Sequence, residues 1–165
     1  MTKHICILAG SNGKNLALSQ AFQAHLESLG HRVSVIDVVG AGLPLYTPAT
    51  EGKIDAAEVM KPFHQALKAH HYVIIAPAYH GGPPPALVNF LSWASRSAKD
   101  WRIHFNSKRA ALATYSGGDG SQVLAMMRLQ FSFIGMTIIG RSVSVTDRKA
   151  LDPAVLADVC TQLLA

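Results

Sequence analysis

The 165-residue sequence has only two cysteines and no long apolar run, and both shortages narrow its functional class. Cys6 and Cys160 belong to no CxxC or Cys/His pattern, so neither a zinc site nor a disulfide framework is predicted, and we expect two buried thiols. No apolar stretch approaches the roughly 20 residues that a membrane-spanning helix needs, and no charged segment followed by an apolar one begins the sequence. We therefore expect a cytoplasmic protein with no membrane partner.

Acidic residues are fewer than basic ones, 10 against 15, and the formal net charge is +5. The basic residues gather in the stretch 96–109, which could be interpreted as a nucleic-acid patch. No recognised nucleic-acid module surrounds it, so a solvated helix end, or attraction of a phosphorylated cofactor, is favoured. The histidines include no HxxxH pair, and the adjacent His70 and His71 would point in different directions. Neither nucleic acid nor a metal is predicted.

Short apolar runs alternate with helical patterns along the whole chain. The runs "HICILAG", "RVSVIDV", "YVIIAPA", "RAALATYS" and "MTIIGRSVSV" predict five strands, and five helices are predicted between and after them. Strands that are apolar throughout are typical of a parallel sheet covered by helices on both faces. Together with right-handed crossovers, this predicts one α/β domain over residues 1–165: a flavodoxin-like three-layer sandwich with strand order 2-1-3-4-5.

In that order, three polar loops meet at the carboxyl edge of the sheet: "GSNGKN", "PAYHGGPPP" and "SGGDGS". Taken alone, the first is either a phosphate-binding loop at a helix N-terminus or an ordinary turn with Asn15 as the N-cap. Three such loops at one edge are hard to explain as turns, so a ligand site is favoured.

The segment "APAYHGGPPPALVNFLSW" resembles the family of NAD(P)H-dependent FMN reductases. That family has a Pro-Glu-Tyr-Asn-Gly loop followed by Pro, Leu, Asn and Trp, a first loop beginning Gly-Ser, and a Gly-Gly loop that opens a helix. The matching positions in the segment are Pro77, Tyr79, Gly81, Pro84, Leu87, Asn89 and Trp93. The resemblance spans nearly the whole chain. It implies bound FMN, NADPH or NADH as the hydride donor, a homodimer or homotetramer, and an acceptor such as a quinone, free flavin, azo compound or chromate.

Each loop then has an expected role toward FMN. We expect the phosphate at Ser11, Asn12, Lys14 and Asn15, because side-chain donors and a helix N-terminus favour an anion. The isoalloxazine ring is expected on Pro77, Ala78, Tyr79 and His80, with Ser116, Gly117, Gly118 and Asp119 at its pyrimidine side. No catalytic acid or base is obligatory, because the protein mainly orients the reactants.

The chain departs from the family pattern in both binding loops. Gly13 and Leu16 stand where the phosphate loop has Arg and a second Ser, and Ala78 and His80 replace Glu and Asn in the ring loop. The alternative hypothesis is therefore a flavodoxin-like binding or regulatory module with a weakened FMN site. Structural roles are also open: packing is favoured for Asn89 and Trp93, and an exposed loop position is an alternative for His80.

Overall fold

Parallel strands form one sheet at the centre of the protein, described over residues 1–165 by a computed structural model. The strands are β1 (His4–Ala9), β2 (Arg32–Asp37), β3 (His71–Ile75), β4 (Arg109–Tyr115), β5 (Thr137–Ile138) and β6 (Val143–Val145). Their order is β2-β1-β3-β4-β5, with β6 also paired to β4, and every pairing is parallel. The predicted order is confirmed.

Helices cover both faces of the sheet. They are α1 (Lys14–Ser28), α2 (Pro48–Glu51), α3 (Ala56–Met60), α4 (His64–Leu67), α5 (Pro85–Ala94), α6 (Ser121–Phe133) and α7 (Pro153–Leu164), with 3-10 turns at Lys61–Phe63 and Trp101–His104. Five helices were expected, but the segment between β2 and β3 is broken into three short ones because Gly52 and Pro62 interrupt it. None of the helices has the length and apolar character needed to cross a bilayer.

The completely buried strand β1 shows how the layers are built. Ile5 and Ile7 pack in the layer formed with α1 and α7, whereas Cys6 and Leu8 pack in the layer that contains residues of α5 and α6. Successive residues of a strand point to opposite faces of the sheet. Because helices cover both faces at β1, the strand is apolar after its first residue. Cys6 and Cys160 are free and buried, as expected.

The fifth predicted strand is two short strands rather than one. β5 pairs with the start of β4 and β6 with its end. In the break between them, Arg128 of α6 donates to the carbonyl oxygens of Ile138, Ile139 and Gly140 at 3.4, 3.1 and 3.2 Å. These carbonyls therefore have partners without a continuous ladder, which allows the chain to leave the sheet and rejoin it.

Candidate functional site

The loop after β1 is held against β3 by a close backbone approach at Gly10. Its N–H donates to the carbonyl of Ile75 at 2.7 Å. A Cβ on Gly10 would lie 2.9 Å from the Cβ of Ala76, closer than two carbon atoms can pack. Glycine is therefore required here for β1 to reach the carboxyl edge beside β3.

The next residues expose a row of unpaired backbone donors. The N–H groups of residues 11–16, across the start of α1, donate to no protein acceptor. Gly13 is the N-cap with φ 70° and ψ −129°, a conformation that only glycine adopts readily, which accounts for Gly where the family pattern has Arg. Unpaired N–H groups and the positive end of the helix dipole together favour an anion at this point.

Asn15 ties this loop to the end of β4. Its Nδ2 donates to the carbonyl of Tyr115, and its Oδ1 accepts the N–H of Tyr115, both at 2.9 Å. The alternative in which Asn15 caps α1 is wrong, because Gly13 occupies that position without a side-chain cap. One hydrogen of the Asn15 amide is left over, so its contact with a phosphate stays a prediction.

The loop after β3 contains a tight hairpin turn. Tyr79 and Gly82 exchange both backbone hydrogen bonds, at 2.9 and 3.0 Å, and the central residues His80 and Gly81 have φ 51° and 83°. Positive φ at both positions defines a type I′ turn, which favours Asn-Gly. His80 therefore stands at the position of the family's Asn in a backbone conformation that favours Asn, and its side chain is exposed to solvent.

The loop after β4 offers a second row of free donors. The N–H groups of residues 117–120 donate to no protein acceptor, and a Cβ on Gly117 or Gly118 would meet nothing within 4 Å. Gly120, by contrast, has φ 69°, and a Cβ there would lie 2.5 Å from the Cγ2 of Thr114. A planar ligand can thus approach the backbone of this loop closely.

Two side chains of the same loop are already engaged. Asp119 accepts the N–H and hydroxyl of Ser121 at 3.0 and 2.9 Å, and these bonds lower the pKa of the Asp119 carboxyl. Ser116 accepts the N–H of Ala78 at 2.9 Å, which links the loops after β3 and β4. Ala78 therefore has no N–H left for a ligand.

Most of the predicted residues line one cavity of about 310 Å³. Its lining consists of Ser11, Asn12, Lys14, Asn15, Pro77, Ala78, Tyr79, Tyr115, Ser116, Gly117 and Asp147. Gly118 and Asp119 line a neighbouring polar cavity of about 630 Å³ that shares Gly117 and Asp147 with the first. His80 lines neither cavity. The roles of these residues toward a cofactor stay predictions.

Two lining residues, Tyr115 and Asp147, were missed in the sequence. Asp147 forms an exposed ion pair with Lys14 and accepts the hydroxyl of Tyr115 at 2.7 Å. The bond to Asp147 raises the pKa of Lys14, and the bonds from Lys14 and Tyr115 lower the pKa of Asp147. The signal was present, since "TDRK" follows the last strand and must lie at the same sheet edge as the other loops.

Asn89 and Trp93 have the structural role that was favoured for them. The Nε1 of Trp93 and the Nδ2 of Asn89 both donate to the carbonyl of Pro44, at 2.7 and 3.0 Å. The Oδ1 of Asn89 accepts the N–H of Tyr46 at 2.7 Å. Both side chains thus fasten the loop after β2 to α5 and do not line the cavity.

The combined geometry suits a ligand with an anionic end and a planar polar end. The free donors at α1 match an anion, and the open backbone of Gly117 and Gly118 leaves room for a flat ring with acceptor atoms. FMN carries both groups, a phosphate and an isoalloxazine ring, so the residues present fit it. Lys14 is the one cation that lines the smaller cavity, and Asp147 is its one acid.

Comparisons with known proteins identify the family and the fold. Residues 4–150 match the model of the NADPH-dependent FMN reductase family. A search of curated protein sequences gives no match.

Among solved structures, FerB from Paracoccus denitrificans, a flavoenzyme NAD(P)H:(acceptor) oxidoreductase, has a TM-score of 0.77 at 15% identity, covering 98% of this chain and 96% of its own. The apo form of the NADH:FMN oxidoreductase EmoB has a TM-score of 0.70 at 16% identity, covering 98% of this chain and 87% of its own. A flavodoxin from the domain Archaea has a TM-score of 0.65 at 13% identity, covering 99% of this chain and 100% of its own. At these identities the likeness establishes the flavodoxin-like fold.

Proposed function

The chain belongs to the NADPH-dependent FMN reductase family and is an NAD(P)H-dependent flavin oxidoreductase, and from that premise we propose where it holds FMN and what it reduces. The proposed site is the carboxyl edge of the sheet, with the phosphate at residues 11–15 and the ring between residues 77–80 and 116–119. The proposed acceptors are small oxidants of the quinone, free flavin, azo or chromate type.

One observation carries this proposal: two rows of backbone N–H groups without protein acceptors lie at the same sheet edge, one at the start of α1 and one before α6. Donors without a protein acceptor are satisfied by water or by a ligand, and two such rows at one edge suit a ligand that carries acceptor atoms at both ends. The alternative of a regulatory module with a weakened flavin site rests only on the loop substitutions. The type I′ turn at His80 shows that one of these keeps the backbone conformation typical of Asn-Gly.

The residues of the chain would act by orientation and charge. FMN held there would supply the redox chemistry, as acceptor of hydride from NAD(P)H and donor of electrons to the final acceptor. The free donors at residues 117–120 would stabilise negative charge on the pyrimidine side of the ring. The bond from Ala78 N–H to Ser116 would hold the two ring loops at a set separation. No side chain is required as a proton donor.

We also propose that the protein is a homo-oligomer that associates through the face formed by α5 and α6. A groove of about 700 Å³ on this face is lined by Gly82, Pro83, Val88, Met126, Leu129, Gln130 and Phe133. Leu129 and Phe133 are 74% and 78% exposed, and large apolar side chains exposed together typically mark an interface. Gly82 also closes the ring-loop turn, so a second copy seated here would lie beside the proposed site.

The decisive experiment is FMN binding by the wild type and by Gly118→Val. A Cβ at Gly118 meets no protein atom within 4 Å, so the backbone there accepts a side chain, and we expect the valine methyl groups to occupy space proposed for the ring. We expect about one FMN per wild-type chain, with stabilisation of about 2.7 kcal/mol at a hundredfold excess over Kd. We expect Gly118→Val to weaken FMN about tenfold or more and to reduce NADPH oxidation with a quinone. Equilibrium dialysis, thermal melting and steady-state assays measure these effects.

Gly140→Val is the matched control, because a Cβ there also meets nothing within 4 Å and Gly140 lines neither site cavity. It should bind FMN as the wild type does. No FMN binding by the wild type would support the regulatory module instead. Full binding and activity in Gly118→Val would contradict the proposed position of the ring.

A further inference from the structure

Asp147 is an acidic side chain on the wall of the cavity where an anion is expected. It shares this lining with Ser11, Asn12 and Lys14. Its carboxylate pairs with Lys14 and accepts the hydroxyl of Tyr115 at 2.7 Å. Nothing in the proposed reaction requires a carboxylate here, and a phosphate would be repelled by one.

The position of Asp147 is set by a tight turn. Thr146 and Lys149 exchange backbone hydrogen bonds at 2.9 and 3.2 Å, and the Thr146 hydroxyl accepts the N–H groups of Arg148 and Lys149 at 3.2 and 3.0 Å. The turn follows β6, whose end is paired with Tyr115. Asp147 is therefore presented to Lys14 and Tyr115 by ordered backbone.

The charge balance of the cavity follows from this contact. Lys14 is its one cation, and Asp147 already neutralises that cation. The ammonium of Lys14 also lies 4.9 Å from the centre of the Tyr115 ring, so two groups compete with a phosphate for it. An incoming dianion keeps the backbone donors of α1 but gains little from the lysine while the ion pair persists.

We propose that Asp147 is an affinity-determining residue that lowers the preference of the site for phosphorylated over unphosphorylated flavin. The proposal rests on the proposed function, since it takes flavin as the ligand. By holding Lys14, Asp147 makes the phosphate contribute less to binding than it would at a site with a free cation. Bound FMN then exchanges more readily with flavin in solution.

The test compares FMN with riboflavin, which lacks the phosphate, in the wild type and in Asp147→Asn. Asparagine keeps the size of the side chain and can still accept the Tyr115 hydroxyl, but it removes the charge. We expect Kd for FMN to fall by about fivefold and Kd for riboflavin to stay unchanged. The difference in Kd for FMN between Asp147→Asn and the wild type should become smaller as the salt concentration rises, because salt screens the attraction between Lys14 and the phosphate. Flavin fluorescence titrations of the purified protein measure all four constants.

Asp158→Asn is the matched control, since it makes the same change of net charge at an exposed carboxylate paired with Arg141, outside the cavity. It should change neither constant. Weaker FMN binding in Asp147→Asn would overturn the proposal, because Asp147 would then be orienting Lys14 toward the phosphate. An equal change for both flavins would also overturn it. A wild type that binds neither flavin would refute the proposed function itself, a result that is visible before any variant is made.

Discussion

At the scale of single residues, the His71 imidazole is buried without a hydrogen-bond partner. His71 is the first residue of β3, between Ile5 of β1 and Arg109 of β4, and neither ring nitrogen has a hydrogen-bond partner or contact with solvent. Burial, followed by the charges of Lys3 and Arg109, lowers the pKa of His71 to about 4. The imidazole is therefore neutral in the folded protein well below neutral pH.

This pKa predicts a loss of stability in acid. In the unfolded chain His71 has a pKa of about 6.5, so between pH 6.5 and 4 the unfolded state binds a proton that the folded state does not. The free energy of unfolding therefore falls as the pH falls through this window. We expect His71→Phe, which has no titrating group, to have a shallower pH dependence there. Urea unfolding between pH 4 and 7 measures it.

Burial also lowers the pKa values of His4 and His104, so some acid sensitivity should remain in the variant. Parallel pH profiles for wild type and His71→Phe would show that His71 is protonated as easily in the folded state as in the unfolded chain.

At the scale of elements, α5 fastens the loop after β2 through one carbonyl. Pro44 accepts from both Asn89 and Trp93, which lie one helical turn apart on the same face of α5. Tyr46 adds an edge-to-face contact with the Trp93 ring at 5.4 Å and donates its hydroxyl to Glu51 at 2.6 Å. The Asn and Trp of this chain that match the family pattern thus hold the loop after β2 against α5.

Asn89 and Trp93 donate to the same carbonyl. The losses of unfolding free energy caused by removing each donor should therefore not be additive. Trp93→Phe keeps an aromatic ring and leaves Pro44 bonded to Asn89, but it removes the Nε1 donor and leaves a void at a completely buried position, so it should cost about 1–3 kcal/mol of unfolding free energy. Asn89→Ala also leaves the Tyr46 N–H without its acceptor and should cost about 1–3 kcal/mol. The loss of unfolding free energy in the double variant should exceed the sum of the two single losses, because only in the double variant does the Pro44 carbonyl lose both donors. A urea double-mutant cycle measures this coupling.

Ser92→Ala serves as the control on the same helix, since its hydroxyl bonds only to Val88 within α5. It should change the unfolding free energy by less than about 0.5 kcal/mol. Strict additivity of the Trp93 and Asn89 losses would mean that the shared carbonyl does not couple them.

At the scale of the whole molecule, the two helical layers differ in what they leave exposed. The layer containing α6 exposes Met126, Leu129 and Phe133, with Ile103 also exposed in the preceding 3-10 turn. In the α1 and α7 layer, Leu29, the C-cap of α1, is an exposed leucine at 49%. This asymmetry favours the α6 face as the proposed subunit interface.

We expect Leu129→Glu to shift the protein toward the monomer, because a charge buried without a partner in an apolar interface is strongly unfavourable. Light scattering after size exclusion gives the mass. Leu29→Glu makes the same change at an exposed leucine of the other layer and should leave the mass unchanged. A wild-type monomer, or an unchanged oligomer in Leu129→Glu, would contradict an interface at this face.

The sequence by itself determined the sheet order and the edge at which the three polar loops meet. Apolar runs separated by helical patterns predict buried parallel strands, and right-handed crossovers leave few ways to order them. The resemblance in "APAYHGGPPPALVNFLSW" then identified the family and most of the residues that line the cavity. These features depend on local periodicity and on short motifs, which a single chain displays directly.

Only the tertiary structure decided how individual side chains are used. Arg128 stabilises the break in the fifth strand, Asn15 bonds to a backbone 100 residues away, and Asp147 reaches Lys14 across 133 residues. No periodicity records such pairs, because each depends on the positions of two elements that are distant in sequence. Packing of α1 and the loop after β6 at the same sheet edge is what brings an acid to the one cation of the smaller cavity.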